Sequence, residues 1–278
     1  MAKLTKEQRK LHALAEAVLR QDRLSDNDRA FVFEHWLAGA ENNIGVAGAF
    51  FTPLSLALDM AFDIGGLRII DLCAGIGVLS YAALCRRGGR EPAPEITCIE
   101  INPRFVDIGR KLVPSARWIC ADVMDWRRWW GEVLDGMVFD LAYGNPPFGR
   151  VARNRHGPRY RGPDFEYHVI DIASEIADAG TFLIPQMSCS FRYSGRSDLG
   201  RLTSGRGAAF EQQTGLQMDG GVGVDTAFYR DDWQEAAPLC EIACLDFAVA
   251  RAQREALTAR LNTTPTSGSE GPQLSLFA

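Results

Sequence analysis

The sequence predicts an α/β fold, a mostly parallel seven-stranded sheet with helices between its strands and an antiparallel last strand. Three observations carry that expectation. Apolar runs at residues 67–72, 95–99, 117–121 and 137–143 read as strands, and the first three lead into acidic residues. The first of them enters a glycine-rich turn and then a helix, the usual opening of a nucleotide site. Strand candidates at residues 216–224 and 239–247 then close the sheet as an antiparallel pair.

The elements follow in order. Residues 5–20 read as an amphipathic helix opened by a Thr5/Gln8 capping box, with Leu11, Leu14 and Val18 on one face. Ser25 opens a second helix through Leu37, stopped by Gly39. This extension, residues 1–47, is open to three roles: packing on the following domain, binding DNA, or dimerising. Next, Ala49-Phe50-Phe51-Thr52-Pro53 reads as a helix start, Thr52 as N-cap and Pro53 at the first helical position, leading into an apolar segment at 54–62. Strands and helices then alternate to residue 143. Residues 165–179 look helical and 181–185 extended. A final helix near 250–261 leads into a Thr-, Pro-, Ser- and Gly-rich tail from 262 to 278, which composition predicts to be disordered. The main domain is thus placed at 48–261.

Within that frame the chemistry-bearing residues sit at strand ends. Gly75 and Gly77 allow a tight turn and close approach of backbone to a ligand, and Asp71 can receive a ligand's amino group. Glu100, after the second strand, suits a ribose diol, and Ile101 an adenine face. Asp122-Val123, after the third, can accept from an adenine N6 amine. After the fourth strand comes Asn145-Pro146-Pro147-Phe148, a polar amide and a proline turn.

That ordered set resembles the S-adenosylmethionine-dependent methyltransferases of the Rossmann-like class I from about residue 48 to residue 250. The tetrapeptide resembles the catalytic motif of amino-group methyltransferases. The resemblance implies that the Asn145 side-chain oxygen and the Pro146 carbonyl accept hydrogen bonds from a substrate NH2, sharpening a poor nucleophile. Phe148 would stack on a flipped base. The Phe51-Thr52-Pro53 segment before the glycine turn is similar to that of the gamma order of N6-adenine DNA methyltransferases, where it covers the methionine end of the cofactor. The implied cofactor contacts are therefore Phe51, Thr52, Pro53, Asp71, Cys73, Ala74, Gly75, Gly77, Glu100, Ile101, Asp122, Val123 and Asn145. Related enzymes with the same motif methylate protein glutamine or RNA, and cytosine N4 is a minor alternative target; a non-catalytic clamp- and DNA-binding factor is the reading from another class.

Charge is segregated. The net charge is −5, yet residues 150–161 carry five arginines and no acid, and residues 192–206 add +3, leaving −13 on the rest. Arg150, Arg153, Arg155, Arg159 and Arg161, with Arg192 and Arg196, are the expected contacts to phosphate and groove, in recognition loops near 150–163 and 186–215. No large separate recognition domain is visible, which makes a homodimer sharing the task plausible. There is no nuclease signature, which favours a solitary methyltransferase.

Gln273, Leu274, Leu276 and Phe277 near the C-terminus resemble the bacterial sliding-clamp-binding peptide, which implies a second partner besides double-stranded DNA. Gln273 would orient the peptide, and Leu276 with Phe277 would fill an apolar subsite. With 46% hydrophobic residues, 278 residues suffice for one buried domain with accessories. The seven cysteines and four histidines show no metal-ligand spacing. No secretory signal or membrane-spanning run is visible, so the expected compartment is the cytoplasm, bacterial and nucleoid-associated. Trp126, Trp129 and Trp130, at helical spacing, read as core packing against the sheet or as a subunit contact.

Overall fold

A computed structural model of the chain describes residues 4–40, 50–234 and 237–263. Helix α1 (Lys6–Val18) begins at Thr5, which accepts from the Gln8 N–H at 3.1 Å and donates its own N–H to Gln8 at 2.9 Å. Helix α2 (Asp26–His35) repeats the reciprocal cap with Ser25 and Asp28. Both answer the orphan N–H groups of a first turn locally, which is why these two helix starts can be read from the sequence. A short helix, α3 (Leu54–Met60), follows.

Strands and helices then alternate: β1 (Arg68–Leu72), α4 (Val78–Arg87), β2 (Glu95–Glu100), α5 (Pro103–Leu112), β3 (Arg117–Cys120), α6 (Trp126–Arg128) widening into a π turn at Trp129–Val133, and β4 (Phe139–Gly144). Next come α7 (Phe165–Ile176), β5 (Ala177–Pro185), a small hairpin of β6 (Phe191–Arg192) and β7 (Gly200–Arg201), α8 (Arg206–Thr214), β8 (Cys240–Asp246) and α9 (Phe247–Thr263). Among the described residues the main sheet has six strands in the order β3-β2-β1-β4-β5-β8, parallel except for β8. The order reverses between β1 and β4. A crevice opens at such a point, outside the carboxyl ends of the strands.

Alternate residues serve opposite faces. Ile69 joins a core with Trp36, Leu56, Leu79 and Phe105, whereas Ile70 and Leu72 join one with Trp129, Tyr167, Ile170 and Phe247. The near-continuous apolar runs of β1 and β4 follow from being covered on both sides. The extension packs on the first face: Ala15, Val32, Phe33 and Trp36 belong to that core. Trp126 and Trp129 are buried in the second.

The structure corrects the expected strand count of seven. Residues 216–224 give one antiparallel bridge, Asp219 to Cys244, with N–H···O bonds of 2.8 and 2.7 Å. The positive φ values of Gly221 and Gly223 (54° and 79°) turn the chain away before a strand can form. The helix expected to 179 ends at Ile176, because β5 pairs with β4 from Ala177 onward.

Candidate functional site

The glycine turn leaves β1 at Leu72. Cys73 takes a left-handed backbone, φ 65°, which a side chain adopts only under constraint from its surroundings. Asp71 points into the protein and is 1% exposed. Its Oδ2 accepts from the Ser80 hydroxyl at 2.7 Å, and Ser80 also lies 2.9 Å from the Tyr143 hydroxyl. Its Oδ1 is buried without a hydrogen-bond partner among the described residues. Burial pushes the Asp71 carboxyl up to about 7, the Ser80 bond opposing and the Glu100 charge adding to the shift.

Glu100, at the end of β2, accepts the Gly75 and Asn102 N–H groups, each at 2.8 Å, and burial raises its carboxyl above the usual range. It thereby ties the glycine turn to the second strand end. Ile101 beside it is an exposed apolar side chain, 55% accessible. Asp122 Oδ1 accepts from the Met124 N–H at 2.9 Å, and Val123 is buried. A ring edge of Phe51 lies where a side chain on Gly75 would stand. Three carboxylates, a bare glycine turn and one exposed apolar side chain therefore follow the carboxyl ends of β1, β2 and β3 in order. A buried carboxylate oxygen lacking any donor fits an ammonium group, so the donor set suits the amino-acid end of S-adenosylmethionine.

Gly144 decides where the turn after β4 sits. A side chain on it would stand 2.2 Å from the Leu72 carbonyl oxygen, so only glycine lets β4 end this close to β1. Asn145 comes next. Its Nδ2 donates to the Phe50 carbonyl at 2.7 Å and to Thr52 Oγ1 at 3.0 Å. A carbonyl only accepts, so the NH2 end must face it and the assignment of the amide is fixed chemically. Its Oδ1 has no partner among the described residues. This also corrects the expected cap: the Thr52 hydroxyl holds Asn145, and Pro53 occupies the N-cap of α3 with no side-chain bond. Pro146 is buried, Pro147 half-buried, and Phe148 packs against Phe50 with ring centroids 5.9 Å apart.

Residues 150–163 form a strap braced by α7. Arg159 and Tyr160 donate their N–H groups to Asp171 Oδ2 at 2.5 and 2.7 Å, and the Arg159 guanidinium binds Asp171 Oδ1 at 3.1 Å as well as Glu175. The Gly157 N–H donates to His168 Nδ1 at 2.9 Å; burial and the Arg153 charge bring this imidazole down to about 4, which keeps it an acceptor. Arg153 donates to the Gly162 and Pro163 carbonyls, Arg161 to those of Gly157, Pro158 and Tyr160, and Arg192 to those of Gln186, Cys189 and Phe191. Arg155 pairs with Asp125 at 2.5 Å across two exposed side chains. Arg150 and Arg196 are exposed, and their guanidinium groups have no partner among the described residues. The seven arginines singled out from the sequence thus divide: Arg153, Arg161 and Arg192 brace backbone carbonyls, Arg159 is held by carboxylates of α7, and Arg150, Arg155 and Arg196 face outward.

Gln273, Leu274, Leu276 and Phe277 lie outside the described residues, as does Ala49. Among the described residues no three His, Cys, Asp or Glu side chains form a metal-binding group, and no helix is long and apolar enough to cross a membrane. Sequence reasoning missed Ser80, Tyr143 and Glu166. They lie inside ordinary helix and strand patterns, and only the fold reveals what they touch.

No protein-family model and no curated protein matches the chain. Solved structures do. The chain is similar to a putative class I S-adenosylmethionine-dependent methyltransferase from Listeria monocytogenes, with 14% identity and a TM-score of 0.53 over 87% of this chain and 75% of that one. It is also similar to the methyltransferase subunit of a type I restriction-modification system from Streptococcus thermophilus, with 14% identity and a TM-score of 0.51 over 80% of this chain and 50% of that one. The chain spans about half the length of the latter. These likenesses establish the fold, a Rossmann-like class I methyltransferase fold with one antiparallel strand.

Proposed function

We propose that the chain transfers a methyl group from S-adenosylmethionine to N6 of adenine in a short double-stranded DNA sequence, acting on a flipped base. The observation that carries the reading is the orientation of Asn145. Its NH2 is held by Phe50 and Thr52, which leaves Oδ1 as an acceptor after β4, and the Pro146 carbonyl would be the second acceptor. An exocyclic amine has its lone pair delocalised into the ring. Two acceptors drawing its hydrogens out of plane favour the tetrahedral nitrogen that attacks. No side chain has to remove a proton beforehand, so catalysis is mainly positioning.

The bound cofactor would supply an electrophilic methyl on sulfur. Asp71 would hold its amino group, Glu100 the ribose hydroxyls, Ile101 the adenine face and Asp122 the adenine N6 amine. Cys73, Ala74, Gly75 and Gly77 would give it backbone contact, and Phe51, Thr52 and Pro53 would cover the methionine end. Phe148 would stack on the base, while Arg150, Arg155 and Arg196 meet phosphate. We assign residues 273–277 to a bacterial sliding clamp as second partner, and a homodimer would share base recognition. The bacterial cytoplasm and nucleoid are the setting such a reaction requires.

The test is direct reading of modified bases in plasmid DNA from cells expressing the wild-type chain or Asn145→Ala. One N6-methyladenine motif present only with the wild type is the expected result. Unmodified DNA in both would overturn the DNA reading and turn attention to protein and RNA acceptors.

A further inference from the structure

Glu166 is 1% exposed in the first turn of α7 and has no part in the motifs above. Its Oε2 accepts the Gly149 N–H at 2.8 Å, one residue past Phe148, and its Oε1 accepts the Ser188 hydroxyl at 2.7 Å. The carboxylate therefore joins the turn that follows β4 to the turn that follows β5. Both junctions are doubled. Phe165 returns its N–H to the Gly149 carbonyl at 2.7 Å, and the Tyr167 hydroxyl donates to the Ser188 carbonyl at 2.6 Å. β4 and β5 are parallel neighbours, so these turns leave the same edge of the sheet side by side. A helix N-terminus also favours a negative side chain in its first turn, which makes the position suitable for an ion that burial would otherwise penalise.

We infer that Glu166 is a positioning residue that sets the spacing between the Asn145-Pro146-Pro147-Phe148 turn and the neighbouring turn at residues 186–190, and so the position from which the first turn meets the acceptor amine. The inference rests on the methyl-transfer reading of Asn145. Losing the link frees the catalytic turn at its downstream end, while Asp71, Glu100 and Asp122 stay in place at β1, β2 and β3. The chemical step then suffers and cofactor binding does not.

The test uses the full-length chain with Glu166→Ala, Glu166→Gln, Ser188→Ala and Asn145→Ala. Two quantities are followed: amide exchange of the segment containing Gly149, and methyl transfer from labelled S-adenosylmethionine to unmethylated double-stranded plasmid DNA. In Glu166→Ala, exchange at Gly149 should rise about tenfold or more while β1 and β4 stay protected. Its kcat should fall about 30- to 100-fold, with the cofactor dissociation constant within about threefold of wild type. Glu166→Gln accepts from Gly149 and donates to Ser188, so it should recover most of both losses. Ser188→Ala, which keeps the Gly149 bond, should lie between, and it decides the matter if Glu166→Ala does not fold.

Unchanged Gly149 exchange in the variants would overturn the inference, as would a lowered Tm with kcat kept in the folded fraction. If the wild type fails to methylate DNA, the methyl-transfer reading on that acceptor falls, and exchange at Gly149 still decides whether Glu166 holds the turn.

Discussion

Asp71 and Asp171 are both fully buried aspartates on elements that frame the same crevice, and their surroundings are opposite. Asp171 has each oxygen engaged, with two backbone N–H groups on Oδ2 and the Arg159 guanidinium on Oδ1. Among the described residues Asp71 has the Ser80 hydroxyl on Oδ2, no cation, and no hydrogen-bond partner on Oδ1. The difference separates scaffold from receptor. A satisfied buried carboxylate holds its own chain, whereas an unsatisfied one carries a desolvation cost that protonation or a cationic ligand offsets. The same distinction sorts the arginines, since Arg159 completes an internal ion pair and Arg150 presents its charge to solvent.

The largest effect expected is at Asn145. Asn145→Ala removes one acceptor and Asn145→Asp sets an oxygen against the Phe50 carbonyl. Each should lower kcat about 100- to 1,000-fold, with cofactor affinity nearly kept, as single-turnover assays and calorimetry would show. The contrast between the aspartates is tested next. Asp171→Ala should cost about 3 kcal/mol, because it leaves two backbone amides without an acceptor and takes one of two carboxylates from Arg159; Asp71→Asn should leave stability at pH 8 unchanged or raised by about 1 kcal/mol while weakening cofactor binding. A comparable loss from both in urea unfolding would break the distinction.

A smaller effect follows from the Asp71 carboxyl standing at about 7. Its folded-state value lies above the unfolded one, so its contribution to stability is complete at acid pH and is lost as pH rises through 7. A cationic ligand prefers the ionised form. Cofactor affinity should therefore fall on acidification below pH 7, by up to about tenfold per pH unit, and Asp71→Asn should flatten the profile in titration calorimetry. The least effect belongs to the outward arginines. Arg150→Ala and Arg196→Ala should each weaken DNA binding by about threefold, lower its salt dependence and leave Tm unchanged; Arg159→Ala should lower Tm. Equal loss of Tm at all three would show the strap to be scaffold throughout.

Much of this was legible in the sequence because it is local. The capping boxes at Thr5 and Ser25, the strand ends at Asp71, Glu100 and Asp122, and the turn at Asn145 are fixed by residues within a few positions of one another. The arginine strap was legible only as charge. Counting guanidinium groups cannot say that Arg153 and Arg161 bind carbonyls or that Asp171, twelve residues beyond Arg159, takes it up, since those contacts depend on α7 lying under the loop. The missing seventh strand has a similar cause: an apolar run at 216–224 reads as extended, and its glycines break it at the edge of the sheet. Thr52 looked like a helix cap because the sequence around it supports one, and its bond to Asn145 spans 93 positions.

The N-terminal segment reaches the glycine turn and the residues around Asn145 at Trp36. Trp36 is 1% exposed, with ring centroids 5.9 Å from Phe51 and 5.7 Å from Phe105, and its indole donates to Glu16, which also binds Arg104 of α5. Phe51 in turn lies over Gly75 and adjoins the Phe50 and Thr52 groups that hold Asn145. Anyone trimming the chain while keeping this arrangement therefore has to cut before Thr5; a cut at the start of the glycine-turn domain would strip the outer layer from the aromatic stack and loosen the clasp on the Asn145 amide.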